Sequence, residues 1–151
     1  MLKLFCISLL ILSCCLAEFI KPEDGAILNY THIDFLWEQQ PNTKNYRLQV
    51  YDQDSVLVLD QIVEKTLYID YNNFNWNNSY SSILSIPQNE NSYVEWSDTV
   101  FFSISPKISS TDLNIDFIDD DLFQDGLMFF SQVSPTLAMV VVDKNGNQIW
   151  N

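Results

Sequence analysis

Side chains able to do chemistry are sparse in this sequence and poorly spaced for it. The single histidine is His32. An imidazole works as a base or a metal ligand only beside a nucleophile or a further ligand, and neither a second histidine nor a nearby cysteine is there to supply one. Asp119, Asp120, Asp121 and Asp125 suggest a calcium loop. Such loops alternate their acids around a fixed glycine, whereas three consecutive side chains on an extended chain cannot all face one ion, so this run reads as solvated acidic linker. Serine and carboxylates abound, yet no Gly-x-Ser-x-Gly elbow or phosphate-cradling glycine loop occurs. The three glycines, Gly25, Gly126 and Gly146, all fall in turns. No catalytic residue, no metal ligand set and no cofactor is therefore expected.

Binding is the chemistry that remains. Residues 72–80 form a polar, asparagine-rich loop whose apolar members are Phe74, Trp76 and Tyr80. Aromatics on polar loops build sugar-binding platforms, and Tyr51, Tyr71 and Trp76 are the candidate binding residues for a glycan or a protein. A structural account competes with this. In sandwiches of the immunoglobulin type, a tyrosine near the start of the penultimate strand bonds back to the upstream backbone, and an apolar residue about six positions earlier plugs the core. Tyr80 and Phe74 have that spacing.

The elements that must position these residues are strands. In residues 33–50, Ile33, Phe35 and Trp37 alternate with His32, Asp34 and Glu38, and Tyr46, Leu48 and Val50 alternate with Arg47 and Gln49. A period of two with apolar residues on one phase marks strands buried on one face, and these two runs form the centre of a sandwich. His32 falls on the solvent-facing phase. Around this pair lie an opening strand with Pro22 and a turn at Asp24-Gly25, strands over residues 56–59 and 66–71, and two last strands over 80–86 and 94–104. The turn between those last two is placed at residues 87–91. Strand starts recur every 8 to 15 residues without helical periodicity, which favours an all-β sandwich.

Length and charge narrow the partners. The chain has 151 residues, 20 acidic side chains against seven basic ones, and a net charge of -13. Nucleic acid is excluded as a partner because Lys44, Arg47 and Lys65 are too few and too scattered to form a basic stripe. Residues 1–17 read as a signal peptide: Lys3, an apolar run over residues 4–12, then small residues at Cys15 and Ala17 suited to cleavage before Glu18. That run is too short to span a bilayer. A buried N-terminal strand is the alternative, and Ile11-Leu12-Ser13-Cys14 resembles a bacterial lipobox, which would make the product a lipoprotein through Cys14. The location is thus secreted, extracellular or periplasmic. All three cysteines (Cys6, Cys14, Cys15) lie in this leader, so burial and not disulfides must hold the mature domain together. Asn29-Tyr30-Thr31 and Asn77-Asn78-Ser79 are sequons that an Asn-rich sequence also produces by chance.

After residue 105 the composition shifts. Residues 106–125 form the acidic linker and residues 126–151 a hairpin: paired strands over 127–131 and 136–143, an Asn145-Gly146 turn, and a further strand beginning at Gln148. Val140-Val141-Val142 is apolar on both phases, which suits a strand covered from both sides. Nothing else in the sequence offers that cover, so a missing partner is expected, either a second chain or further sequence.

Residues 22–105 resemble fibronectin type III-like modules in Pro22-Glu23-Asp24-Gly25-Ala26, Phe35-Leu36-Trp37, Tyr46-Arg47-Leu48-Gln49-Val50, the corner tyrosine Tyr80, and Trp96-Ser97-Asp98 before Phe102-Ser103-Ile104. The resemblance implies a seven-stranded sandwich over residues 18–105. It departs at Ser82, where the family often carries an aromatic, so a thinner core is expected there. Asp125-Gly126-Leu127 with the run from Val142 to Trp150 resembles the opening blade of arylsulfate sulfotransferase-like β-propellers. Secreted members of that group place a β-sandwich before the propeller and move a sulfuryl group between phenols through a covalent histidine. Those histidines are expected in later blades, outside this sequence. The expectation is a non-catalytic extracellular module, the N-terminal accessory part of such a protein. The alternative is a free-standing secreted or lipid-anchored adhesion or glycan-binding module.

Overall fold

The computed structural model describes residues 19–89, 92–108, 126–132 and 138–151. The leader, residues 109–125 of the acidic linker and with them the aspartates at 119–121 and 125 lie outside the described residues. Among those described, twelve strands form and no helix does, so the chain is all-β.

The chain opens with β1 (Phe19–Lys21), turns through Asp24-Gly25 and continues as β2 (Ala26–Leu28). Gly25 has φ 77°, a left-handed conformation natural to glycine, and its N–H donates to the Phe101 carbonyl at 2.7 Å. The run of period two becomes β3 (Ile33–Trp37) and β4 (Tyr46–Asp52), followed by β5 (Leu57–Val63) and β6 (Leu67–Asp70). Then come β7 (Ser79–Asn89), β8 (Ser92–Glu95) and β9 (Val100–Ile104). One sheet has the order β1-β3-β6 and the other β2-β9-β7-β4-β5, with β8 attached to β7. Pairings are antiparallel except β2 with β9.

The inward phase of both sheets builds one core. Ile33, Phe35, Tyr46, Leu48, Val50 and Leu84 are fully buried. Rings meet across the interior: Trp37 stands edge-on to Tyr46 at 5.5 Å, and Phe35 to Phe102 at 6.0 Å. Edge-to-face contacts add to area burial because the positive ring edge meets the negative face. Ser82, where a thin core was expected, is also fully buried, and its hydroxyl points to the Val100 carbonyl at 3.5 Å.

Several boundaries differ from the sequence reading: the opening strand is split into β1 and β2, the strand expected over residues 56–59 runs on to Val63 as β5, and two further differences have a visible cause. The strand expected over residues 94–104 is broken into β8 and β9, because the Trp96 and Ser97 amides and the Ser97 hydroxyl bond to the backbone of Leu84 and bend the chain there. Pro87, expected in a turn, lies inside β7. It sits where β7 pairs only with β8 and where the register shifts, a place at which a missing ladder donor is tolerated.

The C-terminal region forms a three-stranded sheet in the order β10-β11-β12, built from β10 (Met128–Gln132), β11 (Ala138–Val142) and β12 (Gln148–Trp150). Its Asp143 to Asn147 turn places Gly146 at φ 82°, and the Asp143 carboxylate accepts from the Asn145 and Asn147 amides at 2.8 and 2.9 Å. The expected lack of cover for Val140, Val141 and Val142 is corrected: all three are buried within this chain, at 6%, 4% and 2% exposure. Nothing in the sequence signals that this sheet docks, through β12, on residues 29–31 of the sandwich, more than a hundred positions away.

Candidate functional site

The seam between sandwich and C-terminal sheet is made by backbone. Thr31 N–H donates to the Ile149 carbonyl and Asn151 N–H to the Asn29 carbonyl, both at 2.9 Å, and Tyr30 bridges to Trp150. β12 is thus bonded to β11 on one side and to residues 29–31 on the other. Side chains fasten the junction. The Trp76 indole N–H donates to the Gln148 carbonyl at 3.1 Å, and Asn29 Nδ2 donates to the Asn151 carbonyl at 3.0 Å.

A groove of about 330 Å³ opens along this seam. Tyr30 and His32 contribute from the sandwich, Leu127 and Phe129 from β10 and the residue before it, Met139 and Val141 from β11, and Ile149 and Trp150 from β12. Cross-strand register explains the shared face, since Phe129 faces Val141, which faces Trp150. Phe129 is 68% and Met139 51% exposed, whereas Val141 and Ile149 form the buried floor.

His32 immediately precedes β3, a strand of the β1-β3-β6 sheet. The His32 ring stands edge-on to Tyr71 at 5.1 Å. Along that strand, Asp34 is paired with Ile69 and Leu36 with Leu67. Burial drives the His32 pKa below its ordinary value, against the pull of Asp143 and Asp70, so the ring is neutral at neutral pH. Burial also raises the Tyr30 phenol, helped by the charge of Asp34 and a hydrogen bond to it. Asp34 in turn holds Lys21 at 3.1 Å.

The candidate binding residues do not come together. Tyr71 is exposed and meets His32, a groove residue, edge-on. Tyr51 lies on β4 of the other sheet and is half-buried. Trp76 was expected to be exposed; it is half-buried against the core, and its indole N–H is spent on Gln148. Tyr80 and Phe74 take the structural roles their spacing suggests: Tyr80 Oη accepts the Asn75 N–H at 2.9 Å, and Phe74 packs edge-on to Tyr80 at 5.0 Å. Sequence reasoning passed over Tyr30, Met139 and Trp150. The one available signal was the valine run, whose double-sided apolar pattern marked β11 as buried without saying against what.

Among the described residues, no group of three or more His, Cys, Asp or Glu side chains is placed to hold a metal ion. Comparison of the chain with protein-family models, with curated proteins and with solved structures finds no match.

Proposed function

We propose that this chain is a non-catalytic extracellular β-sandwich module, the N-terminal accessory part of a longer secreted arylsulfotransferase-like protein, with the sandwich as its spacer or docking unit. The order β1-β3-β6 against β2-β9-β7-β4-β5 and the Tyr80 corner support the fibronectin type III-like reading of residues 18–105. The observation that carries the accessory role is the edge of the C-terminal sheet. Among the described residues β10 pairs only with β11, and Phe129 and Phe130 stand 68% and 41% exposed on its two faces. An uncharged, apolar edge of this kind is one that a further strand completes. Reading the coding sequence past Asn151 tests this: further hairpins of the Asn-Gly-x-x-x-Trp type support it, and a stop codon directly after Asn151 overturns it.

A second reading, a free-standing secreted or lipid-anchored adhesion or glycan-binding module, is favoured by the seam, because β12 is hydrogen-bonded to residues 29–31 of the sandwich and the valines of β11 are buried. A glycan array with the secreted protein and its Tyr71→Ala variant tests that reading. Retained signal in the variant, or none in either protein, removes Tyr71 from a glycan site.

A further inference from the structure

Four aromatic rings, those of Tyr30, His32, Phe129 and Trp150, border the seam groove, and among the described residues no lysine or arginine lines it. Ring faces carry negative potential and attract cations, most strongly where water is partly excluded. Carboxylates deepen the effect. Asp143 and Asp70 both act on His32. Asp70 accepts from the Asn72 and Asn73 amides and from Asn73 Nδ2, and Asp143 from the Asn145 and Asn147 amides and from Asn147 Nδ2. Amide donors fix a carboxylate in place without neutralising it, so the negative field at the groove persists. His32, kept neutral by burial, adds no opposing charge at neutral pH.

Other occupants fit less well. A sugar brings many hydroxyls, and these walls offer few polar atoms; each hydroxyl left unpaired costs affinity. An anion meets a chain of net charge -13. A second copy brings the same charge and repels at long range. The volume lies at the small end of ligand sites, enough for one ring and a short arm.

We propose that the seam groove binds a small hydrophobic cation, an ammonium group on an aromatic or short alkyl body, held between the Trp150 and Tyr30 rings with its apolar part against Met139 and Val141. This site is separate from the accessory role: the edge that would take a further strand is the outer side of β10, and the groove lies on one face of the sheet.

Titration followed by tryptophan fluorescence and by proton NMR at pH 7.5 tests it, with benzyltrimethylammonium and phenethylammonium as cations, 2-phenylethanol as the neutral comparator and 3-phenylpropionate as the anion. At least one cation should bind tenfold or more tighter than 2-phenylethanol, and 3-phenylpropionate should be weakest. Trp150→Ala should lose at least tenfold. Because Trp150 also pairs with β11, Phe129→Ala at a highly exposed position serves as a second variant, expected to lose about threefold with an unchanged melting temperature. Equal affinity for cation and neutral comparator, no binding of either cation, or unchanged affinity in both variants overturns the proposal. An ammonium is also carried by choline lipids, so cosedimentation with phosphatidylcholine vesicles is measured in parallel. The free ligand predicts no sedimentation, and sedimentation abolished by Phe129→Ala overturns it in favour of a membrane surface.

Discussion

The indole N–H of Trp76 and the carbonyl of Gln148 meet at 3.1 Å although they lie 72 positions apart. This contact links the loop that plugs the end of the sandwich core to the strand that carries the C-terminal sheet. Trp76→Phe keeps most of the packing and removes the donor. The expected cost is about 1 kcal/mol, the net worth of one hydrogen bond in a partly buried setting. Amide exchange should accelerate at Thr31 and Asn151, whose N–H groups donate across the seam to Ile149 and Asn29, and stay unchanged at Leu48 in the core. Equal acceleration at both would mean that the variant weakens the whole domain and not the junction.

Tyr80 joins packing to polarity at the other end of the same loop. Its ring stacks on Phe102 at 5.5 Å and its hydroxyl accepts the Asn75 N–H. Tyr80→Phe should preserve the stack and cost about 1 kcal/mol through the lost partner of Asn75. Phe74→Ala, which empties a buried ring site, should cost about 3 to 5 kcal/mol. Urea midpoints for the two variants check the order, and a Tyr80→Phe effect as large as that of Phe74→Ala would contradict the division of roles.

His32 makes stability depend on acidity. Burial depresses its folded pKa, so as the pH falls below its ordinary value of 6.5 the unfolded chain takes up a proton that the folded chain refuses. Its contribution is therefore fully present above pH 6.5 and is lost as the pH drops through the folded value. His32→Gln should flatten the melting temperature between pH 7 and pH 5 relative to the parent. The carboxylates continue to titrate below that window, so the comparison belongs above pH 5. Identical slopes for the two proteins would show that the ring is freely solvated in the folded state.

How much of this could be read from the sequence depended on the range of the forces involved. The alternation of Ile33, Phe35 and Trp37 with His32, Asp34 and Glu38, and of Tyr46, Leu48 and Val50 with Arg47 and Gln49, is local, and it placed β3 and β4 and their buried phase correctly. The corner formed by Phe74 and Tyr80 was legible for the same reason: the two lie only six positions apart. The break at Trp96 was not, because the groups that bend the chain belong to Leu84 on another strand. Nor was the seam. Nothing in the sequence near Thr31 announces Ile149 as its partner, and the valine run declared its burial without declaring the cover. The groove follows from that docking, so Tyr30 and Trp150 became neighbours only once the chain was folded.

Asn151 shows how much of the seam rests on a single side chain. Its Oδ1 accepts from the Ile108 amide at 3.0 Å and from Gln148 Nε2 at 2.6 Å, and its Nδ2 donates to the Pro106 carbonyl at 2.9 Å. The residue is 8% exposed, so the groups it serves are poorly placed to find water instead. Asn151→Ala should cost about 2 kcal/mol, because partners are lost while their desolvation remains. Asn151→Asp discriminates further: it keeps the acceptor but turns a second oxygen toward the Pro106 carbonyl. A charged carboxylate is unfavourable there, whereas a protonated one can donate. The folded pKa of the introduced acid should rise, which makes the variant's deficit relative to the parent large at pH 7 and smaller at pH 3.5. Melting temperatures of both proteins at the two pH values measure it, and a deficit that grows on acidification would show that Nδ2 does not donate to Pro106.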